Sequence, residues 1–522
     1  MLPRMLYVAY ELRRRFIDSP DAHSTYIGLL LGLGNAGKKF LDADKAGPNT
    51  ALIYDGGFFI IEADYPPSIN NHEISVEDAA RRGFIGKKKG DQIVLSRNRL
   101  SGERTTQIIE VQTKYVHALQ DSMKNYEQRF VDRSDLMGFN IEDKDFTPLF
   151  KQVDETYSNA LAVEELYKSG KLTIDLFAES VGKNIIEVVY ALRNTPQLGV
   201  RASMGSSSEM DSLNAAMKQM KNPRFVMDIV ALINFYELSI DVNSIGLDKF
   251  KISQSTKDLI IQEAAKLESE ANQQGATIYK QGDSYIRQEV TTKERRQRVK
   301  NIHALIRWVN RNTEVMPFDE ALLTKVANNK KLSGLENALL DSQMDTMKLA
   351  TNNQTILYTD DVGIGSLAKE VFGTQYIWTQ ALLGYSVRNQ NLDLISYGKL
   401  SIKLAEANLH HLGISPVILL QSILISEEGA FESSLYALTR KEVEVTSMAK
   451  VIVQFIELAV ARGLSDRIKE LLPVILEHAA QFHDKEHVID LIKEGIEVTL
   501  MSLGGERDKL TMEIERWMNE NQ

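Results

Sequence analysis

The chain has 522 residues, of which 43% are hydrophobic, and it carries a formal net charge of −10. A chain of this length can bury several cores, in about three or four domains. Cysteine is absent, which excludes disulfides, thiolate zinc sites and cysteine nucleophiles, and the acidic surface disfavours nonspecific nucleic-acid binding.

The sequence shows no signal peptide and no apolar stretch long enough to span a bilayer. The longest apolar stretch, Ile414 to Ile425, is interrupted by polar residues and proline. We therefore expect a cytoplasmic protein with no membrane partner. Binding to a nucleic acid would need either a local basic patch or metal ions at an acidic site.

The first 120 residues are predicted to form a helical segment followed by a small strand-rich domain. Residues 1–49 have a helical pattern. From Thr50, ALIYDGGFFIIEADYPP alternates around a Gly-Gly turn as a β-hairpin does, and two further strands follow around a Ser-Gly turn. The segment SVEDAARRGFIG between them predicts a short helix. Four strands and one helix indicate an α+β domain over residues 50–120.

Helices are predicted next, followed by a domain in which strands and helices alternate. Residues 121–205 have helical spacing, and residues 206–223 form a polar, Ser-rich linker. In FVMDIVALINFYELSI a short apolar strand ends at Asp228 and a helix begins at once. QTILYTDDVGIGSLAKEVFG repeats this arrangement around Asp360 and Asp361. The alternation predicts a parallel sheet over residues 224–400, with an insertion at residues 264–335. Residues 401–522 are predicted to be helical throughout.

Acidic side chains follow both predicted strands of this sheet. Parallel strands place their carboxyl ends on one edge, where ligands bind, so these acids should lie together. Carboxylates about 4 Å apart repel by roughly 4 kcal/mol at an effective dielectric of about 20, so such a cluster requires a cation or a proton. Mg²⁺ and Mn²⁺ take oxygen ligands of this kind. The candidate catalytic and metal-binding residues are Asp228, Asp258, Asp341, Asp345, Asp360 and Asp361.

These aspartates also have structural interpretations. Asp228 could cap the helix that follows it, and Asp360 with Asp361 could form an Asx turn. Asp341 and Asp345 lie four residues apart, on one helix face that could simply be solvated. The residues alone leave these alternatives open.

The order of the motifs resembles a known nuclease family. FVMDIVAL at residues 225–232, with Asp228, resembles the first motif of the PIN-domain ribonucleases. SQSTKDLIIQE at residues 253–263 resembles the second motif. It carries Asp258 where the family usually has Glu, and Asp is one methylene shorter.

The other two motifs follow in the same order. LLDSQMDTMKLA at residues 339–350 resembles the third motif and offers Asp341 and Asp345 as alternative ligands. ILYTDDVGIGSLA at residues 356–368 resembles the fourth motif and carries Asp360 and Asp361. The resemblance covers about a third of the chain. It implies that acids from four places converge on one or two Mg²⁺ or Mn²⁺ ions and that the domain hydrolyses RNA.

The insertion contains a basic segment, KERRQRVKNIHALIRWVNR, and is longer than the family needs. On a helix, this segment would present a basic RNA-docking surface that the acidic chain otherwise lacks. The alternative is a solvated amphipathic helix. The residues of the predicted surface are Arg295, Arg296, Arg298 and Lys300.

The strand-rich domain carries a second resemblance. SVEDAARRGFIGKKKGDQIVLSRNRLSGERTTQIIEV resembles the C-terminal domain of the Gre transcript-cleavage factors, most closely at residues 84–91. The resemblance implies an FKBP-like fold that docks on RNA polymerase. The coiled coil that carries the catalytic acids of the Gre factors is missing, so transcript cleavage is not implied. A purely structural module is the alternative. The implied docking residues are Gly86, Lys87, Lys88, Lys89, Gly90 and Asp91.

Together the two resemblances give one leading hypothesis and one alternative. A Gre-like domain joined to a PIN-like domain resembles a bacterial architecture of prokaryotic conflict or antiphage systems, in which tetratricopeptide repeats come first. Here almost no repeat is visible. The leading hypothesis is a multidomain, metal-dependent endoribonuclease that acts on RNA and docks on RNA polymerase. The alternative is a non-catalytic PIN-fold scaffold that binds RNA or protein and docks on the polymerase.

Overall fold

The computed structural model describes residues 2–32, 41–68, 72–98, 102–130, 146–220, 222–272, 275–317, 338–352, 354–425, 429–501 and 504–521. The chain divides into two compact units, Met1–Gln152 and Val153–Gln522. Within the described ranges, no helix is both long and apolar enough to cross a membrane.

The first unit contains a five-stranded sheet. Its helices are α1 (Leu2–Arg15), α2 (Pro20–Gly32), α3 (Val76–Arg81) and α4 (Lys114–Arg129). Its strands are β1 (Thr50–Tyr54), β2 (Gly57–Glu62), β3 (Glu73–Ser75), β4 (Gln92–Asn98) and β5 (Gly102–Thr113). The sheet order is β3-β2-β1-β5-β4, and only the β2–β3 pair is parallel. The hairpin predicted from the Gly-Gly turn is confirmed, whereas β3 was not predicted.

Apolar residues of this sheet and of the segment after α3 form a small core. Leu52, Ile61, Phe84 and Ile108 are fully or almost fully buried in it. The predicted short helix is α3, which Ser75 caps by accepting a hydrogen bond from the Asp78 amide. The FKBP-like form of this domain stays a prediction.

The second unit begins with helices and continues into the alternating region. Its helices up to residue 406 are α5 (Thr147–Lys168, which starts just before the unit), α6 (Ile174–Ser180), α7 (Ile185–Arg193), α8 (Ser207–Gln219), α9 (Ile229–Glu237), α10 (Gln254–Glu270), α11 (Thr292–Asn312), α12 (Asp341–Leu349), α13 (Val362–Phe372), α14 (Thr379–Arg388) and α15 (Leu394–Glu406). Its strands are β6 (Val200–Arg201), β7 (Arg224–Met227), β8 (Phe250–Ser253), β9 (Gly275–Gln281), β10 (Ser284–Val290), β11 (Thr313–Met316), β12 (Thr355–Tyr358), β13 (Tyr376–Ile377) and β14 (Leu409–His410).

The predicted parallel sheet is confirmed. Its order is β11-β8-β7-β12-β13, and each described neighbouring pair is parallel. Met227 pairs with Tyr358, so the residues that follow them, Asp228 and Thr359, leave the sheet side by side. The strand segment Phe225–Met227 and the whole of β12 are buried because helices cover both faces of a parallel sheet. The carboxyl edge of the sheet therefore lies inside the second unit.

The insertion and the C-terminal region each contain a feature that the sequence did not predict. In the insertion, β9 and β10 form an antiparallel hairpin in which Ser284 pairs with Gln281. The C-terminal helices are α16 (Pro416–Leu424), α17 (Ala430–Thr439), α18 (Val445–Ala461), α19 (Ser465–Ala480), α20 (Lys485–Thr499) and α21 (Gly504–Glu520). The prediction of an entirely helical C-terminal region was wrong at β14, which pairs in parallel with β6.

Candidate metal centre

Asp228 lies at the carboxyl end of β7 and is completely buried. It caps α9, because its Oδ1 accepts a hydrogen bond from the Ala231 amide at 2.8 Å. Its Oδ2 accepts one from the Thr359 hydroxyl at 2.6 Å. The cap predicted as the structural alternative is thus present. The Thr359 contact adds a direct link from β7 to the end of β12.

Thr359 also connects Asp228 to Asp361. The Asp361 amide donates to Thr359 Oγ1 at 3.0 Å, so one hydroxyl contacts both acidic residues. Asp361 is 2% exposed and caps α13 through the Gly363 amide, which donates to its Oδ1 at 2.8 Å. Its Oδ2 accepts a hydrogen bond from the Ile174 amide at 2.6 Å. Helix α6 is therefore held against this edge of the sheet.

Asp360 has a different environment from its neighbour. Its Oδ1 accepts a hydrogen bond from the Thr379 amide at 2.7 Å, and its Oδ2 accepts one from the Thr379 hydroxyl at 2.5 Å. The Asn234 amide group also donates to Oδ2, at 3.0 Å. Burial, above all, raises the pKa of Asp360, while these hydrogen bonds and the charge of Arg193 act to lower it. These donors engage Asp360 in holding the starts of α13 and α14 together.

Asp175 is an acid near the centre that the sequence did not single out. It lies in the first turn of α6, is 2% exposed, and accepts a hydrogen bond from the Thr173 hydroxyl. Its Oδ2 accepts another from the Leu340 amide at 3.2 Å, which connects it to the start of α12. Its charge contributes to the raised pKa of Asp361. The second unit thus brings a buried carboxylate from the predicted linker helices toward the sheet edge.

Asp345 and Asp341 face different surroundings although one helix turn separates them. Asp341 begins α12 and is exposed, whereas Asp345 is 7% exposed. Asp345 Oδ2 accepts a hydrogen bond from the Ser255 hydroxyl at 2.7 Å, at the start of α10. Burial is the main cause of the raised pKa of Asp345, to which Asp341 contributes. Of these two candidates, Asp345 is the one that points toward the parallel sheet.

The hydroxyl groups near Asp345 lie at the end of β8, in the first turn of α10 and on α12. Ser253 Oγ lies 2.8 Å from Thr256 Oγ1 and 3.3 Å from Thr346 Oγ1. Val226 of β7 pairs with Lys251 of β8, so Ser253 leaves β8 level with Asp228. The carboxyl edge therefore carries, from β12 through β7 to β8, Asp361, Asp228 and then these hydroxyls with Asp345.

Asp258 lies away from this edge. It is exposed on α10, where its Oδ1 accepts a hydrogen bond from the Gln254 side chain at 2.8 Å. The buried face of α10 is formed instead by residues that include Thr256 and Ile260. The structure therefore does not bring Asp258 to the other candidates, and its assignment as a ligand stays a prediction.

Burial without a counter-charge sets the electrostatics of the centre. Burial is the largest cause that raises the pKa of Asp228 to about 8, and repulsion by Asp361 and Asp360 adds to it. Burial likewise raises the pKa of Asp361 to about 7, with repulsion by Asp175. Hydrogen bonds from Thr359 and from backbone amides oppose both shifts. Protons therefore neutralise much of this centre near neutral pH.

The donor chemistry of Asp228 and Asp361 fits a divalent cation. Both carboxylates supply hard oxygen atoms, they repel each other, and a cation would replace the protons that their raised pKa values retain. Within the ranges that the structure describes, no three acids or histidines are gathered closely enough to bind a metal by themselves. Mg²⁺ commonly uses one or two carboxylates and completes its octahedron with water and phosphate oxygens. A divalent cation held by Asp228 and Asp361 alone stays a prediction.

The predicted basic helix is present as α11, and its residues divide into two pairs. Arg295 Nη1 lies 3.5 Å from Glu270 Oε2, and the Arg296 guanidinium donates to Asn272 Oδ1 at 2.9 Å. Arg298 and Lys300 are exposed one turn further along. The C-terminal end of α10 thus engages the first pair, and RNA docking by the four residues stays a prediction.

The predicted polymerase-docking segment forms a tight connection between α3 and β4. Gly86 and Gly90 have φ values of +81° and +92°, which favour glycine. Asp91 Oδ2 accepts a hydrogen bond from the Lys88 amide at 2.9 Å. Lys88 and Lys89 are exposed and Lys87 is half-buried. Docking itself stays a prediction.

A parallel sheet with buried acids at its carboxyl edge and helices on both faces defines an α/β domain. Residues 226–370 match the model of a family described as the PIN domain associated with the TPR-GreAB-C-PIN system. The matched residues run from β7 to α13 and include Asp228, Thr359 and Asp361. The predicted PIN resemblance is therefore confirmed for this part of the chain. No curated protein and no solved structure matches the chain.

Proposed function

We propose that this protein is a metal-dependent endoribonuclease of the PIN type that acts in a prokaryotic conflict system. The observation that carries the proposal is the buried, mutually repelling pair Asp228 and Asp361 at the carboxyl edge of a sheet that matches a PIN-domain model. Buried carboxylates with strongly raised pKa values are expected at functional sites, because a purely structural buried charge is normally paired.

The residues of the centre have distinct roles in this proposal. Asp228 Oδ2 and Asp361 would hold Mg²⁺ or Mn²⁺, which supplies charge neutralisation and activation of water when bound. Thr359 positions both acids, because its hydroxyl is bonded to Asp228 and to the Asp361 amide. Asp345 lies next along the edge, where its carboxylate could orient a water molecule or a phosphate-bound cation.

The decisive experiment is hydrolysis of a labelled single-stranded RNA by the full chain with Mn²⁺. Asp228→Asn keeps the size and the cap of α9 but removes a charge, so we expect a loss of activity of about 100-fold or more. Asp283→Asn is the matched control, because Asp283 is an exposed aspartate at the β9–β10 turn. Full activity in Asp228→Asn, or equal losses in both variants, would contradict the proposal.

A second candidate is a PIN fold that binds RNA or protein without cutting. It is favoured by the hydrogen bonds of Asp228 and Asp361, since both oxygens of each carboxylate already accept from the protein. Calorimetry with Mn²⁺ separates the two candidates. Binding that Asp228→Asn abolishes supports the enzyme, and absence of binding supports the scaffold. In either case we propose docking on RNA polymerase through Lys88 and Lys89, which a pull-down with the polymerase tests.

A further inference from the structure

Four basic side chains form a cluster in the second unit where β6 and β14 meet. Arg201 of β6 pairs directly with His410 of β14. The ring centres of His410 and His411 lie 6.3 Å apart, and the guanidinium of Arg440 donates to the side chain of Asn408, two residues before His410. The charges of Arg440 and Arg201 both act to lower the pKa of His410. Arg440 is 5% exposed and His410 is 7% exposed. A chain with a net charge of −10 thus concentrates positive charge inside this unit.

The backbone at this junction is shaped to admit the histidines. Gly199 has a φ of +59°, and a Cβ atom there would overlap the ring of His410. Gly205 has a φ of +69°, and a Cβ atom there would lie 3.0 Å from Nδ1 of His411. Glycine at both positions lets the imidazole rings lie directly on the main chain, since any larger residue would displace them.

Both guanidinium groups donate hydrogen bonds to neutral groups through a terminal nitrogen, and their Nε atoms have no partner among the described residues. Arg201 Nη1 donates to the carbonyl oxygens of Tyr167 and Lys168. Arg440 Nη2 donates to Asn408 Oδ1, and its guanidinium lies 4.7 Å from the centre of the Tyr436 ring. Four buried nitrogen atoms then have no hydrogen-bond partner among the described residues, namely Arg201 Nε, His410 Nε2, His411 Nε2 and Arg440 Nε.

The cluster has no carboxylate paired with it in the described part of the chain. Neither Arg201 nor Arg440 forms a salt bridge there, and the acid whose charge acts on Arg440 and His411, Glu442, is exposed. Leaving a buried cation unpaired and a buried donor unsatisfied both destabilise the folded protein. These costs are offset if a ligand supplies negative charge and acceptor oxygens at the same place.

We propose that this junction binds a small phosphate-bearing anion, either inorganic phosphate or the phosphate group of a mononucleotide. A tetrahedral oxoanion offers several acceptor oxygens, which suits the Nε–H groups of the two arginines and the Nε2–H group of His411, whereas Nε2 of His410 packs against Gly199. The burial of Arg440 and His410 favours a small ligand over a nucleic-acid backbone, which binds at exposed grooves. The inference does not depend on the proposed nuclease function.

The charges of the junction and of the candidate metal centre both act on Tyr167. The Tyr167 hydroxyl donates to the Gly199 carbonyl at 2.9 Å, beside Arg201. Burial is the main cause of the raised pKa of Tyr167, to which the charge of Asp361 adds and which that of Arg201 opposes. Tyr167 and apolar residues beside both sites belong to one hydrophobic core.

Calorimetric titration of the full chain with inorganic phosphate, AMP and adenosine tests the proposal. We expect phosphate and AMP to bind and adenosine not to bind. Equal affinities for phosphate and AMP would identify phosphate as the ligand, and tighter binding of AMP would identify a nucleotide. Arg440→Gln should weaken binding at least about tenfold, because a charge-assisted hydrogen bond contributes about 1.5–3 kcal/mol.

Two further variants keep the test decisive. Arg201→Gln alters a half-buried residue and should give a similar loss if Arg440→Gln does not fold. Arg467→Gln is the matched control, because Arg467 is exposed and pairs only with Glu470 in the described region. Absence of phosphate binding to the unmodified chain, or unchanged affinity in a folded Arg440→Gln or Arg201→Gln variant, would overturn the proposal. Mn²⁺ binding should be unaltered in Arg440→Gln, so failure of this proposal is distinguishable from failure of the metal centre.

Discussion

The first unit contains a buried lysine that is paired with opposite charges, whereas the second unit contains buried aspartates that are not. Lys114 is completely buried, and its Nζ lies 2.6 Å from Glu62 Oε1 and 3.0 Å from Asp64 Oδ2. Three aromatic rings also surround the ammonium group, with centres 4.7 to 5.5 Å away; they belong to Tyr10, Tyr65 and Tyr115. The positive charge of Lys114 is thus paired with two carboxylates of the same unit.

Asp228 and Asp361 are buried to the same degree, yet no lysine or arginine pairs with either of them in the described ranges. Hydrogen bonds satisfy their oxygens, but the neighbouring charges are other acids. The difference separates two uses of burial. A compensated ion pair holds a structure in one arrangement, whereas uncompensated like charges leave a site whose energy falls when a proton or a cation arrives.

Removing the compensation in the first unit should give the largest effect. Lys114→Met leaves Glu62 buried with no cation, so we expect a loss of about 3–5 kcal/mol in the free energy of unfolding of that unit. Urea unfolding of the full chain, followed by circular dichroism, measures it. The double variant Lys114→Met with Glu62→Gln should recover most of the loss. A loss below about 1 kcal/mol in the free energy of unfolding for Lys114→Met would contradict the inference that Lys114 compensates a buried carboxylate.

Removing a carboxylate from the second unit should raise the free energy of unfolding, whereas Lys114→Met lowers it. The folded pKa of Asp228, about 8, lies above the ordinary value of 3.8, so the folded state retains a proton that the unfolded chain has lost. Stability therefore decreases as pH rises from about 4 to about 8. Asp228→Asn removes this dependence, and the variant should be more stable than the unmodified protein at pH 8 by on the order of a few kcal/mol.

Thermal unfolding between about pH 4 and pH 9 without divalent cations measures this difference. Near pH 4 the two proteins should have similar melting temperatures, and their curves should diverge as the pH rises. Asp258→Asn serves as the control, because Asp258 is exposed and its variant should follow the unmodified protein. Mn²⁺ should raise the melting temperature of the unmodified protein at pH 8 but not that of Asp228→Asn. Parallel curves of melting temperature against pH for the two proteins would show that the pKa of Asp228 is not raised in the folded state.

The sequence predicted the part of the centre that depends on local pattern. A short apolar strand followed by an acid and a helix occurs twice, and parallel pairing then places Asp228 beside Thr359. Asp258 was chosen by motif order alone. The helical period was the better guide, because Thr256 and Ile260 are four residues apart on the buried face and Asp258 is half a turn away.

Other features could not be found from local pattern. Asp175 stands in the first turn of α6, where aspartate is common because it interacts well with the helix dipole, so nothing distinguishes it before α6 packs at the sheet edge. The basic cluster has the same origin, since Arg201 and His410 are 209 positions apart and meet only through the two-residue pairing of β6 with β14. The β9–β10 hairpin, by contrast, has a local turn signal in Gly282 and Asp283, although it was not predicted.

The smallest effect is expected for the exposed basic residues of α11, which extend the comparison from buried to exposed charges. Arg295 and Arg296 contact the end of α10, whereas Arg298 and Lys300 are exposed beyond it. If α11 docks RNA, the double variant Arg298→Gln with Lys300→Gln should bind RNA several-fold more weakly, and the slope of log affinity against log salt should fall by about 1 to 2. Fluorescence anisotropy at several salt concentrations measures both quantities.

Arg287→Gln is the control, because Arg287 is exposed and pairs with Glu289 on β10. The stability of the double variant should stay within about 0.5 kcal/mol of the unmodified protein, since exposed charges contribute little to folding. Equal salt slopes for the two proteins would assign α11 to the solvated surface and leave the buried centre to bind its substrate without it.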